Sequence, residues 1–252
     1  MEILSTLYTE AIWRPLFSAI VFLYSTIPGG DFGVTVIVFT VLFRIVSFPL
    51  HWKARRAQQA LAFIQPEMKK IQEKHKNDRE AQGRALMELY AQKKVNPFSG
   101  CLPILIQLPI LIALFQIFQG GFDANNLAYI YSFIPSPESI NPLAFGFLDL
   151  SKGNIVLGFF AALSQYIQTK ITLPPKPPPS DKPDFSSMFQ KQTLYMLPLL
   201  VLFWSYTLPA ALTFYWTISN IFGIVQDTVL NRSAKKSSSG DGASNGYSNT
   251  HK

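Results

Sequence analysis

Apolar and polar positions alternate along this chain in long blocks: apolar runs separated by one extended polar segment. The first run, residues 32–50, is apolar apart from small polar residues and one charge, Arg44. At about 1.5 Å per residue it is close to the roughly 30 Å of hydrocarbon in a bilayer, so it predicts a spanning helix. Residues 98–118 form a second span, free of charge but containing Pro103, Gln107 and Pro109. Residues 155–173 form a third, whose second half holds Gln165, Gln168 and Lys170. No charged residue occurs from Gln192 to Gln226. That stretch is too long for one ordinary span and Pro209 divides it, which predicts two short spans at 193–208 and 210–230.

The remaining segments are read from their periodicity. Within residues 1–31, positions 11–27 are apolar, with Arg14, Ser18 and Ser25 roughly on one helical face and Trp13 and Tyr24 suited to headgroup level. This predicts an amphipathic helix lying in the interface, with a further spanning helix as the alternative. Pro28-Gly29-Gly30-Asp31 ends it. In residues 51–96, Ala54, Ala57, Leu61, Ile64, Met68 and Ile71 recur at spacings of three and four, a narrow coiled-coil-like seam. Leu86, Leu89 and Tyr90 make a second apolar face beyond a turn at Asn77-Asp78. The segment is therefore read as an antiparallel helical hairpin rather than a plain solvated connector. Residues 119–153 and 174–192 are loops, and the Ser-, Gly- and Asn-rich residues 231–252 are expected to be a disordered tail.

Composition sharpens this picture. Of 252 residues, 48% are hydrophobic and 15% charged, against roughly 25% charged in a soluble domain. The segment from Lys53 to Lys94 holds half of all Lys and Arg, the loop at 174–192 and the start of the tail are also basic, and residues 119–153 have Lys152 alone. By the positive-inside rule the basic segments are cytoplasmic, so 119–153 is extracytoplasmic and the C-terminus lies inside. The same rule accounts for the net charge of +7 without sequence-specific nucleic-acid binding; a ribosome contact is the polyanionic partner kept in view. A single Cys101 and the scattered His51, His75 and His251 offer no metal site. No phosphate loop, nucleophile elbow or paired-histidine zinc motif is found. No cofactor, metal, catalytic residue or enzymatic activity is expected. Nor does the N-terminus read as a cleaved signal peptide.

The chemistry concentrates on Arg44. On depth alone its head could snorkel to the cytoplasmic interface. However, Thr40, Arg44, Ser47 and His51 share one face; the last span has Thr213, Thr217 and Asn220, and the third has Ser164, Gln165 and Gln168. Interhelical hydrogen bonding would explain any one of these, but three such faces together favour a hydrophilic interior. No span carries a central Asp or Glu to neutralise Arg44, and Asp227 lies near the inner end of the last. An unpartnered buried guanidinium costs several kcal/mol. Arg44 is thus expected in a hydrated cavity that attracts acidic segments of a visiting polypeptide. Ion-coupled transport usually requires carboxylates or histidines within the spans, although a small channel or transporter and a non-inserting assembly scaffold remain alternatives.

Four stretches carry a likeness to a known family. They are 33–50 with Thr40, Arg44 and Pro49-Leu50; Val95-Asn96-Pro97 through Gly100-Cys101-Leu102-Pro103 to Gln107-Leu108-Pro109; 165–168; and Leu208-Pro209-Ala210 through Tyr215-Trp216 and Ser219-Asn220 to Gln226. In order and interval they resemble the YidC/Oxa/Alb membrane protein insertases in their short bacterial form, over about residues 7–232. The resemblance implies an all-α membrane protein: five transmembrane helices around a hydrophilic groove, an N-terminal interfacial amphipathic helix and a cytoplasmic helical hairpin. The groove would open to cytoplasm and lipid and be closed outside. Thr40, Arg44, Gln107, Gln168, Tyr215 and Trp216 match its client-binding positions. It further implies nascent membrane proteins as clients, delivered by the ribosome or the Sec secretion channel, and a multi-pass place in the bacterial plasma (inner) membrane. Unlike longer bacterial members, the sequence has no large periplasmic domain before the first span and no lipoprotein-type cysteine, and its tail is short for a ribosome contact.

Overall fold

The computed structural model describes residues 2–96, 102–173 and 185–241, and it is predominantly helical. The motif residues 97–101 and the loop residues 174–184 lie outside it.

The N-terminal arm consists of α1 (Glu2–Tyr8), a π-helical turn (Thr9–Trp13) and α2 (Arg14–Thr26). Gly29 and Gly30 then take φ of 83° and 59°, the left-handed region in which a Cβ is strained. This tight turn delivers Asp31 as the cap of α3 (Phe32–Phe63), where its Oδ1 accepts from the Val34 amide at 2.9 Å. Ser18, expected on a polar face of the N-terminal helix, is instead 2% exposed, beside buried Phe17, Ile20 and Val21. The reason is packing: α2 lies against α3 and α6 (Leu102–Gly120), so the stripe the pattern offers to headgroups faces protein at this position.

The polar hairpin begins without a break from the first apolar run. α3 passes through Pro49 and continues to Phe63, because residues 53–62 are dominated by Ala, Gln, Lys and Arg, all good helix formers. It ends at Ile64, ahead of α4 (Gln65–Lys74), whose first turn contains Pro66. After a turn, Asp78 caps α5 (Arg79–Gln92), accepting from the Glu80 and Ala81 amides at 3.1 and 2.9 Å. α4 and α5 are joined by Lys93 Nζ to Glu67 at 2.6 Å and by Tyr90 Oη donating to Met68 Sδ at 3.8 Å.

Besides the missing break at 50, several boundaries differ from the sequence reading, and residues 185–192 of the loop expected at 174–192 are helical. Residues 119–153 contain α7 (Ala124–Leu127) and a small antiparallel ribbon of β1 (Leu143–Ala144) and β2 (Leu148–Asp149), so the fold is helical with one β element. α8 (Ile155–Thr172) is capped by Asn154, but α9 (Phe185–Trp204) stops short of 208. Leu208 precedes Pro209 and is pushed out of helical geometry, and the Thr207 and Leu208 amides turn back onto the Trp204 carbonyl. α10 (Ala210–Asp241) runs past 230, so the expected disordered tail begins as helix, helped by the helix formers Ala234, Lys235 and Lys236; residues 242–252 lie outside the described structure.

α10 is the central helix, packed on α8, α3 and α6, while α9 packs on α8. Close approach is secured by small residues: a Cβ on Gly158 would strike Ser205, and one on Gly223 would strike Gln168. The apolar core sits at one end of the bundle. It joins Phe32, Val36 and Phe39 of α3, Leu114, Ile117 and Phe118 of α6, and Ala210, Ala211 and Leu212 of α10. The β ribbon closes that end: Asp31 Oδ2 accepts from the Phe145 amide at 2.5 Å, and the Lys152 and Leu150 carbonyls accept from the Ala210 and Ala211 amides. Outward faces are apolar, including Leu42, Ile45 and Val46 of α3, Phe159 and Phe160 of α8, Phe203 of α9 and Val225 of α10. So much exposed apolar surface is a liability in water and the normal exterior in lipid. Among the described residues α3 is the one helix long and apolar enough by itself to cross a membrane, and Gln107–Gly120 and Gln192–Trp204 are shorter apolar stretches.

Candidate functional site

Below the apolar core, the polar side chains of α3, α6 and α8 converge on α10. Its residues 215, 219, 223 and 227 recur every four positions, so they form one row down the helix. Tyr215, 1% exposed, accepts a hydrogen bond at Oη from Gln107 Nε2 of α6 at 3.1 Å. Ser219 Oγ accepts from Arg44 Nε of α3 at 2.8 Å. Gly223 makes room for Gln168 of α8. Asp227, 5% exposed, closes the row. One residue along, Trp216 Nε1 donates to Gln165 Oε1 at 2.7 Å and Asn220 Nδ2 to Ser164 Oγ at 3.1 Å.

The structure therefore brings Arg44, Gln107, Gln168, Tyr215 and Trp216 around a single helix. Thr40 is fully buried on α3, and its hydroxyl donates to the Val36 carbonyl of its own helix at 2.6 Å. It supplies shape there and no free donor. Ser47 and His51, on the same α3 face, likewise engage backbone carbonyls one turn back.

Arg44 is 8% exposed, and its one hydrogen bond among the described residues is to a neutral hydroxyl. Asp227 is near enough to act on it electrostatically, but that carboxylate is engaged elsewhere. Asp227 Oδ1 accepts from Arg55 Nε at 2.9 Å and Oδ2 from Thr172 Oγ1 at 2.9 Å, while Arg55 Nη1 donates to the Thr172 carbonyl at 3.0 Å. Among the described residues, Ser18 Oγ is the one sealed side-chain polar atom that lacks a partner. No acceptor among the described residues meets the terminal nitrogens of Arg44, so this cation is held inside the bundle without an ion pair there.

Sequence reasoning passed over two of these partners. Arg55 looked like one loop cation among many, and only the unbroken course of α3 carries it to Asp227. Ser219 belonged to a recognised motif, but its pairing with Arg44 needs the register of α3 on α10. Among the described residues no group of three or more His, Cys, Asp or Glu is placed to hold a metal ion.

A helical bundle with an apolar exterior and a buried, unneutralised cation defines a membrane protein with a polar interior. Residues 22–237 match the family described as 60Kd inner membrane protein, and the chain belongs to it; this is the YidC/Oxa family that its motifs resemble. Similar proteins include one from Geotalea daltonii, 29% identical over 228 residues, which covers 89% of this chain and 38% of the relative. Another, from Francisella tularensis subsp. novicida, is 32% identical over 205 residues, or 81% of this chain and 33% of the relative. Both relatives are named membrane protein insertase YidC. The chain spans little more than a third of the length of these curated relatives.

Proposed function

We propose that this chain is a membrane protein insertase, in which Arg44 receives the acidic extracytoplasmic tail of a client. The observation that carries the reading is the state of Arg44: buried within the bundle and, among the described residues, bonded to Ser219 alone, while Asp227 is paired with Arg55. A buried cation without a counter-ion is costly, and an anionic client segment that pairs with it relieves that cost transiently. The arrangement of the core supports a direction. Aromatic packing and the β ribbon close the end formed by the starts of α3 and α10, whereas the polar row extends towards their other ends. In this reading the closed end is extracytoplasmic and the hairpin and C-terminus are cytoplasmic.

The insertion cycle follows from these properties. Five spans, carried by α3, α6, α8, α9 and α10, enclose a groove open to cytoplasm and lipid, and the N-terminal arm lies at the outer interface. The hairpin of α4 and α5 receives a nascent client from the ribosome or a secretion channel. Its polar tail enters the groove, lined by Arg44, Gln107, Gln168 and Trp216 with Thr40 and Tyr215 packed behind them, and pairs with Arg44. The client's apolar helix then partitions into lipid, gaining about 25 cal/mol per Å² of apolar surface removed from water. That transfer drives the step, and the protein lowers the barrier for the tail.

Reconstitution tests this reading. Vesicles containing the purified chain and no other protein are expected to convert a single-span client to a protease-protected form, above the level of empty vesicles. A client that stays fully accessible to protease would make the chain a scaffold instead.

A further inference from the structure

We propose that Arg55 is a positioning residue that keeps Arg44 available to acidic clients by occupying Asp227, the one buried carboxylate of the α3–α10 interface among the described residues. Arg44 and Arg55 lie about three turns apart on α3 and so on nearly the same face. Both meet the same helix: Arg44 at Ser219 and Arg55 at Asp227. Asp227 is 5% exposed, and each of its oxygens is taken, one by Arg55 and one by Thr172 of α8. The Arg55 guanidinium is fixed in turn by the Thr172 carbonyl. Three helices therefore hold the carboxylate at Arg55, about two turns of α10 beyond the Ser219 that Arg44 meets.

The charge balance gives this geometry a consequence. Arg44, Arg55 and Asp227 together carry one net positive charge. Removing only the Arg55 charge leaves Asp227 free to neutralise Arg44, and the interface then carries none. Removing both members of the pair restores one net positive charge. Stability is a weak explanation for the pair, because a buried ion pair replaced by neutral groups of similar size is often tolerated without loss. His51, on which both Arg44 and Asp227 act, and Tyr215, which acts on Arg44, are unchanged in every variant below.

This inference rests on the insertase reading, and its test separates the two. Full-length wild type, Arg55→Gln, Asp227→Asn, the double variant and Arg44→Ala are reconstituted into vesicles. Each is given two clients with the same apolar helix, one with an acidic tail and one with a neutral tail. Arg55→Gln is expected to slow insertion of the acidic-tailed client by about threefold or more, the scale of one unit charge near a partly hydrated site, and to leave the neutral-tailed client unchanged. The double variant returns to the wild-type rate, and Asp227→Asn equals or exceeds it. A misfolded fraction lowers both clients alike, so the ratio of their rates reads charge and not folding. If Arg55→Gln leaves that ratio unchanged, or the double variant stays as low as Arg55→Gln, the proposal is overturned. If Arg44→Ala also leaves the ratio unchanged, the role given to Arg44 fails with it; if Arg44→Ala lowers the ratio, only the role of Arg55 falls.

Discussion

Arg44, Ser219, Gln165 and Trp216 show how the interior of this bundle is specified one hydrogen bond at a time. Trp216 donates to Gln165, whose own amide donates to Thr169 at 3.1 Å. Trp216→Phe keeps the ring and strands the Gln165 carbonyl oxygen; the expected cost is about 1 kcal/mol, read as a lower melting temperature in detergent. Gly223 is a sharper case, since a Cβ there would meet Gln168 Nε2 inside the α8–α10 contact. Gly223→Val is expected to destabilise the fold by roughly 1–3 kcal/mol through overpacking, while the same substitution at Gly83, with open space around it, costs much less. At this scale the sequence was informative about residue type and silent about partners. Arg44 stood out as a lone charge in an apolar run, and the polar stripe of α10 was legible from its spacing. That Thr40 turns back on its own backbone, and that Arg55 reaches Asp227, depends on helix rotation and register, which periodicity alone leaves open.

The helices themselves were legible where composition and caps agree. Apolar runs marked α3 and α8, and Asp31 and Asn154 stand at their starts as side-chain caps. The exit of α3 was hidden because polarity changes near His51 but helix propensity does not, so the expected boundary at 50 has no structural counterpart. The β ribbon was hidden for the opposite reason: two-residue strands leave no period to detect, and they persist through contacts with other elements. Asp31 provides one, capping α3 and accepting from Phe145. Asp31→Ala is expected to cost about 1 kcal/mol for the cap and to raise amide exchange at Val34 and Phe145 together. Asp149, at the end of β2, braces the ribbon's exit locally. Hydrogen bonds from Lys152 and then Ser151 hold its carboxyl down at about 2, well below the ordinary carboxylate range near 4. A depressed folded-state value contributes stability that is present above the ordinary range and is lost as pH falls towards about 2. The protection of the Ala210 amide, which donates to the Lys152 carbonyl, is expected to fall over that window in wild type once the intrinsic pH dependence of exchange is divided out, and to be insensitive to it in Asp149→Asn.

For the molecule as a whole, a sealed apolar end and a polar row towards the other end make the bundle asymmetric. Its exterior is apolar on several helices at once, which suits lipid, and its interior holds a cation whose nearest carboxylate is engaged by Arg55. In the proposed cycle this cation handles acidic client segments. The most direct measurement is the initial insertion rate of acidic-tailed and neutral-tailed versions of one client in vesicles carrying wild type, Arg44→Lys or Arg44→Ala. Arg44→Ala is expected to slow the acidic-tailed client by about tenfold, on the scale of an ion pair at a partly hydrated site. Arg44→Lys should retain most of the rate, and the neutral-tailed client should change little. Equal rates for the acidic-tailed client in wild type and Arg44→Ala would contradict this role.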